Sequence, residues 1–145
     1  MIRRYQHVSI TVSDLDRSST WYRDMMGFEP QGEASEAAGE ATSRALGVEN
    51  VRLKLATLVR GDCLLELIQY LSPSGAKKAP RPCDVGCMHM ALEVDDIQAL
   101  YRDWSAKGVK FNSAPNRNPP EIAWAWWVYL QDPDGVPIEL VQIAA

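Results

Sequence analysis

An internal repeat constrains the fold more than any other feature, because each half of the chain carries one histidine and one glutamate in matching contexts. His7 stands in QHVSITV and His89 in MHMALEV. Glu66 stands in LLELIQ and Glu139 in PIELVQ. Self-similarity of this kind indicates two copies of one structural unit. Two histidines and two carboxylates, one pair from each copy, form a ligand set for one divalent metal on a pseudo-two-fold axis.

Each copy opens with a predicted strand. Residues 5–12 and 87–94 alternate apolar and polar side chains, which is typical of a strand with one apolar and one more polar face. In both copies the histidine lies on the more polar face. Glu93 shares the face of His89, where it is a candidate substrate-binding group or base, or else a solvated strand position.

A helix is predicted after each strand. Capping residues precede an apolar spacing close to the helical repeat, and a glycine ends each segment. The first predicted helix is capped by Ser13 or Asp14 and ends at Gly27. The second starts at Asp95 or Asp96 and ends at Gly108.

Hairpins are predicted to close each copy. The DPDG sequence at 132–135 has strong turn chemistry, and Pro137 belongs at a strand start or edge because it cannot donate a ladder hydrogen bond. Residues 32–50, rich in small and polar side chains, predict a mobile entrance loop or a short helix. In the first half we expect a hairpin of strands 51–59 and 63–70 that turns at Gly61-Asp62. In the second half we expect a hairpin of strands 126–131 and 137–143. One further strand is expected in each half, around 28–33 and around 109–114.

The predicted fold class is therefore α+β, with a single domain over residues 1–145 made of two modules. One module has a single open sheet and cannot bury both of its faces. Two modules can join their sheets around a shared cup, which brings the four repeated polar residues inward. Module 1 covers about 4–71 and module 2 about 86–143, with a linker at 72–85.

Composition narrows the function classes. The formal net charge of −4 does not favour a nucleic acid or an anionic membrane as partner. The N-terminal sequence MIRRYQHVSI lacks an apolar signal stretch, and no later run approaches the length of a membrane span. Cys63, Cys83 and Cys87 leave at least one cysteine unpaired, which predicts reduced thiols in a cytoplasmic protein.

On these residues, the sequence resembles the vicinal oxygen chelate superfamily. Its members include glyoxalase I, methylmalonyl-CoA epimerase, extradiol dioxygenases, fosfomycin-resistance enzymes and bleomycin-binding proteins. The resemblance covers nearly the whole chain and implies a pair of βαβββ modules that form a cup-shaped mixed sheet around a central metal site, usually in a homodimer. The four metal positions of the family fall on His7 in HVSITVSDLDRSSTWYRDMMGF, Glu66 in LELIQYLSP, His89 in GCMHMALEVDDI and Glu139 in YLQDPDGVPIEL.

The GCMHMALEVDDI segment and the helix after it most resemble the epimerase and small glyoxalase branch. This resemblance implies a metal-dependent isomerase or lyase that abstracts a proton next to a metal-bound carbonyl of a small thioester or thiol-adduct metabolite. Imidazole and carboxylate ligands suit one divalent ion of zinc, nickel, cobalt, manganese or iron. Either Glu66 or Glu139 can take the proton, since the pseudo-symmetry makes them alternatives.

Two other functions stay open at this point. A ferrous ring-cleaving dioxygenase needs two histidines and one carboxylate, with positions left for oxygen. A ligand-sequestering resistance or binding protein would use an aromatic cup. Trp126 or Trp127 is a candidate substrate-binding wall, although core packing against the helices is the better interpretation of at least one aromatic in this strand.

Overall fold

The computed structural model describes residues 1–77 and 81–144. The chain divides into two compact units, Met1–Lys77 and Lys78–Ala145. The boundary falls inside the segment predicted as a linker, 72–85, of which residues 78–80 lie outside the described part of the chain. No helix within the described ranges is long and apolar enough to cross a membrane.

Unit 1 contains one five-stranded mixed sheet. Its strand order is β1-β5-β4-β2, with β3 also paired to β4. β1 runs parallel to β5, and the other neighbours are antiparallel. Its elements are β1 (Val8–Thr11), α1 (Leu15–Met26), β2 (Glu29–Pro30), β3 (Ser35–Ala38), α2 (Glu40–Leu46), β4 (Arg52–Arg60) and β5 (Cys63–Ser72).

Unit 2 repeats this topology. Its sheet has the order β6-β10-β9-β7, with β8 paired to β9, and β6 runs parallel to β10. The predicted α+β class with two repeated modules is therefore confirmed. Its elements are β6 (Met90–Glu93), α3 (Ile97–Ala106), β7 (Lys110–Phe111), β8 (Asn116–Arg117), β9 (Trp124–Gln131) and β10 (Pro137–Ile143).

The structure adjusts several predicted boundaries. The opening strands are shorter than 5–12 and 87–94, so that His7 and His89 each directly precede their strand. Segment 32–50 contains the short helix α2, as one of the two alternatives predicted. It also contains β3, an exposed strand whose sequence SEAA has no apolar alternation and which is defined by its pairing with β4.

Helices α1 and α3 begin in the same way. Asp14 accepts a hydrogen bond from the backbone N–H of Arg17, and Asp96 accepts one from Ala99, both at 2.9 Å. These side chains satisfy backbone donors that the first turn of a helix leaves without a partner. At the other end of α1, Gly27 adopts the left-handed conformation with φ of 64°, which glycine reaches without steric cost.

A glutamine from the adjoining strand also binds each helix start. Gln69 Oε1 accepts a hydrogen bond from the backbone N–H of Leu15, and Gln142 Oε1 accepts one from Ile97, both at 3.0 Å. Successive strand residues point to opposite faces of a sheet. Because each glutamine is on the helix side, the glutamate three positions earlier in the strand is turned to the opposite face.

The helix side of each sheet is the hydrophobic core. The face opposite the helix is less apolar in both units, and it carries the repeated histidine and glutamate. Core residues with 3% relative exposure or less include Leu15, Tyr22, Met26, Leu58, Leu65 and Leu67 in unit 1, and Ile97, Val128, Leu130, Ile138 and Leu140 in unit 2.

Candidate metal centre

The first histidine–carboxylate pair, which we call half-site 1, consists of His7 and Glu66. The parallel register of β1 and β5 places Ser9 beside Glu66, and His7 lies two residues earlier on the same face. His7 Nε2 is 4.0 Å from Glu66 Oε1. Ser9 Oγ donates a hydrogen bond of 3.2 Å to the same oxygen, while Gln6 Oε1 contacts His7 Nδ1. The imidazole and the carboxylate are thus brought together by strand pairing.

Half-site 2 consists of His89 and Glu139 and has the same register. β6 and β10 place Ala91 beside Glu139, and His89 again lies two residues earlier. His89 Nε2 is 3.2 Å from Glu139 Oε2. The Glu139 side chain is 8% exposed, against 25% for Glu66. The two half-sites are therefore structural copies, of which the second has the more buried carboxylate.

A tyrosine distinguishes half-site 2. Across the antiparallel pairing, Tyr129 lies opposite Glu139, whereas Thr57 lies opposite Glu66. The Tyr129 hydroxyl is 3.1 Å from His89 Nε2, and the two rings pack edge to face at 5.1 Å. Burial raises the pKa of Tyr129, and so do the charge of Glu139 and the hydrogen bond to its carboxylate. The phenol is therefore protonated at neutral pH and able to donate.

The sequence interpretation did not assign a site role to Tyr129 or Ser9. The signal that could have identified them is the residue-by-residue register of the paired strands. The tight turn at 132–135 pairs Pro137 with Gln131, and counting back along both strands brings Tyr129 opposite Glu139. Residues paired directly across antiparallel strands share a face.

The donor types fit the proposed metal, although the four-ligand site itself is not shown. Imidazole nitrogen and carboxylate oxygen are ligands for zinc, nickel, cobalt, manganese or iron. A cation beside Glu139 would also offset the cost of holding a carboxylate in a nearly buried position. Within residues 1–77 and 81–144, no three histidine, cysteine, aspartate or glutamate side chains lie close enough together to hold a metal ion. Each unit supplies two of the four predicted donors.

The predicted substrate-binding residues lie in three different settings. Glu93 is exposed at the end of β6, two strand positions beyond Ala91. Trp127 lines a cavity of about 370 Å³ together with Tyr129. Trp126 is paired with Gln142, and strand alternation therefore places it on the helix side, where the Arg117 guanidinium lies 5.8 Å from its ring centre. Trp127 therefore lies on the same sheet face as half-site 2, and Trp126 lies on the opposite face, towards the helix.

Comparison with known proteins places these features in a family. The sequence model of the glyoxalase/bleomycin resistance protein/dioxygenase superfamily matches residues 4–140. A 2-epi-5-epi-valiolone epimerase from an Actinomyces species is 32% identical over 144 residues, covering 96% of this chain and 79% of that protein. The mitochondrial methylmalonyl-CoA epimerase of Dictyostelium discoideum is 25% identical over 109 residues, covering 75% of this chain and 60% of that protein.

A solved structure shows the same fold. The glyoxalase family protein from Bacillus cereus superposes with a TM-score of 0.85 at 19% identity, covering 100% of this chain and 97% of that one. The match over 4–140 extends through both modules and includes all four residues of the two half-sites. The chain belongs to the glyoxalase/bleomycin resistance protein/dioxygenase superfamily.

Proposed function

We propose that the protein is a divalent-metal-dependent isomerase or lyase of the glyoxalase and epimerase type, which abstracts a proton next to a carbonyl of a small metabolite. The observation that carries this proposal is the repetition of one histidine–glutamate arrangement in both units at the same strand register. Two relatives named as epimerases, one of them 32% identical over 96% of the chain, support the isomerase assignment.

The metal would be held by His7, Glu66, His89 and Glu139. When bound, it supplies Lewis-acid polarisation of the substrate carbonyl, which makes the neighbouring C–H more acidic. The fold contributes by presenting each imidazole beside a carboxylate on the sheet face opposite the helix. Ser9 orients Glu66 through a hydrogen bond, and the Tyr129 hydroxyl contacts His89 beside Glu139.

The glutamates are the proposed catalytic residues. A general base must come within hydrogen-bond reach of the proton that it removes, and a carboxylate on each module provides two such groups. An epimerase removes a proton from one side of a carbon and returns one to the other side, which suits a pair of carboxylates. Glu66 is the more exposed and lies farther from its histidine, whereas Glu139 is buried beside the phenol of Tyr129.

Exchange of the acidic proton for deuterium tests this function directly. Protein loaded with zinc, nickel or cobalt is incubated in D₂O with carbonyl substrates, and exchange is followed by NMR. Glu139→Gln should lower the exchange rate by about 100-fold or more, with an unchanged unfolding temperature. Glu33→Gln, at an exposed loop position, is the matched control. Full exchange in both Glu139→Gln and Glu66→Gln would contradict the proposal.

The same assay separates the two rival functions. Exchange that proceeds equally well under argon excludes a ring-cleaving dioxygenase, which consumes oxygen. Saturable binding without exchange, and without any effect of metal on stability, would indicate a ligand-sequestering protein.

We further propose that the protein is a homodimer, as its family membership suggests. Mixing complementary variants determines whether a metal site uses one chain or two. A double variant of half-site 1 (His7→Ala with Glu66→Gln) is co-expressed with the corresponding double variant of half-site 2 (His89→Ala with Glu139→Gln). If each site joins units from two chains, mixed dimers regain one intact site and about a quarter of the wild-type activity returns. If each site lies within one chain, no activity returns.

A further inference from the structure

A cavity in unit 2 has no charged side chain among its described lining residues. Its volume of about 370 Å³ lies within the range of small-molecule sites. It reaches half-site 2, because Tyr129 both lines it and contacts His89. The described lining residues are Pro82, Asn112, Ser113, Asn116, Trp127 and Tyr129.

The polar lining groups are amides and a hydroxyl that their neighbours hold in place. Asn116 Nδ2 donates to Ser113 Oγ at 3.1 Å, and Ser113 Oγ donates to the carbonyl of Ala114 at 2.8 Å. Gln131 Nε2 donates to Asn112 Oδ1 at 3.2 Å. These contacts do not involve Asn116 Oδ1 or Asn112 Nδ2. One acceptor and one donor of this kind match hydroxyl groups, which both donate and accept.

The aromatic lining residues share one face of β9. Trp127 and Tyr129 are two positions apart, and their rings pack edge to face at 6.1 Å. β8 places Asn116 directly opposite Trp127. An amide beside an indole presents a polar edge and an apolar face together. This combination suits a ring or chain that carries hydroxyls on one side and C–H groups on another.

The described lining residues offer no positive charge to an anionic ligand. Arg81, the cation adjacent to Pro82 in the chain, is bound by Asp84, with Nη2 and Oδ1 2.6 Å apart. Lys110 lies two residues from Asn112 and is absent from the lining. A carboxylate or phosphate would therefore enter this cavity without a counter-charge from the described lining residues.

We propose that this cavity binds the non-reacting part of a neutral, polyhydroxylated ketone, and that the substrate is a sugar-like or cyclitol-like α-hydroxy ketone. This inference rests on the proposed function. In the reaction, the C–H bond beside the carbonyl breaks, the proton moves to a glutamate carboxylate, and the electron pair moves to the carbonyl oxygen. The return of a proton to the opposite face restores the ketone with inverted configuration, so no oxidant or reductant is required.

Four probes distinguish the substrate classes in the D₂O exchange assay. The neutral polyol ketone is 2-keto-myo-inositol, and 2-hydroxycyclohexanone is its hydroxyl-poor counterpart. Methylmalonyl-CoA represents anionic thioesters, and the hemithioacetal of methylglyoxal and glutathione represents thiol adducts. We expect exchange with 2-keto-myo-inositol at a kcat/KM above that of the other three probes.

Asn116→Ala tests whether the cavity recognises the hydroxyls. Loss of one hydrogen bond should raise KM for 2-keto-myo-inositol by about 3- to 10-fold and leave 2-hydroxycyclohexanone unaffected. A purely structural effect would change both probes alike. Asn118→Ala, which removes a neighbouring amide bonded to the Trp124 carbonyl and absent from the lining, should change neither. Asn112→Ala serves as the second lining variant if Asn116→Ala does not fold.

A binding measurement provides a readout that is independent of turnover. Tryptophan fluorescence should change saturably with 2-keto-myo-inositol, and Trp127→Phe should remove that change. Exchange with a thioester or hemithioacetal, together with no exchange and no fluorescence change with 2-keto-myo-inositol, would overturn this inference and leave the proposed function standing. Absence of exchange with all four probes would overturn the proposed function and with it the substrate assignment, and the fluorescence titration would then decide only whether the cavity binds the polyol ketone.

Discussion

The hydroxyl of Tyr129 lies 3.1 Å from Nε2 of His89, and Tyr129 of β9 is paired directly with Glu139 of the neighbouring strand β10. In the other half of the repeat, Thr57 occupies the corresponding position opposite Glu66. A threonine side chain is too short to place its hydroxyl as far from the backbone as the hydroxyl of a tyrosine. The two halves therefore share their candidate ligands but differ in the group that contacts them, and half-site 2 has an additional hydrogen-bond donor.

Replacement of Tyr129 by phenylalanine should weaken catalysis while preserving the fold. The ring that packs against His89 and Trp127 remains, and the donor to half-site 2 is lost. We expect kcat to fall by about 3- to 10-fold, as for the loss of one hydrogen bond. Tyr101→Phe is the matched control, because Tyr101 lies on α3 and packs against Phe111 of β7. Equal rates for Tyr129→Phe and the wild type would show that the phenol has no catalytic role.

Metal addition should stabilise the protein, and both half-sites should be required. A ligand at about 100 times its dissociation constant adds about 2.7 kcal/mol of stability, which for a chain of this length raises the unfolding temperature by about 5–10 °C. Thermal melts with zinc, nickel and cobalt salts measure this rise. We expect His7→Ala and His89→Ala to reduce it to a similar degree. A wild-type protein whose melting temperature none of these metals raises would contradict the proposed metal site.

The glutamine that binds each helix start should contribute to stability. Gln142→Ala leaves the backbone N–H of Ile97 without its acceptor, and the expected loss in the free energy of unfolding is about 1 kcal/mol. Gln69→Ala should cost a similar amount through Leu15. Gln142→Glu retains the acceptor oxygen and should restore most of the loss. Urea denaturation measures all three variants, and an unchanged midpoint for Gln142→Ala would refute the interpretation.

The loop that includes Pro82 should be held together by an ion pair down to acidic pH. Hydrogen bonds from the Arg81 side chain and backbone lower the pKa of Asp84 from its ordinary value of 3.8. Because the folded-state pKa is depressed, the stabilisation is present above the ordinary value and is lost as the pH falls through the folded-state pKa. Carbon-13 NMR titration should place the Asp84 pKa below 3.8 in the wild type and closer to 3.8 in Arg81→Gln. Identical titration curves for the two proteins would disprove this coupling.

Local patterns predicted the architecture well. Alternation over the opening strands, capping residues and glycine stops are short-range signals that occur in both halves, and the DPDG turn is a further one in the second half. They led to the α+β class, the two modules and the paired strands, which the structure confirms. β3 was missed because its residues are exposed and its identity as a strand comes from pairing with β4 rather than from its own sequence.

Adjacent aromatic residues show where sequence patterns stop being informative. Trp126 and Trp127 are neighbours, so strand alternation puts them on opposite faces without indicating which is which. The pairing of Gln142 with Trp126, and the bond from Ile97 to Gln142, place Trp126 on the helix side. The same register brings Tyr129 to Glu139 and turns Trp127 towards the cavity.

The sequence by itself therefore determined the repeat, the four candidate ligands and the positions of the two long helices and most strands along the chain, because residue type and local periodicity carry that information. Only the tertiary structure decided that each histidine lies beside its glutamate, that a tyrosine contacts the second pair but not the first, and that a cavity whose described lining residues are uncharged adjoins the second pair. These relationships depend on the register between strands that are distant in the chain. A shift of one residue would exchange the two faces of a strand, and the packing of each helix on its sheet excludes that shift.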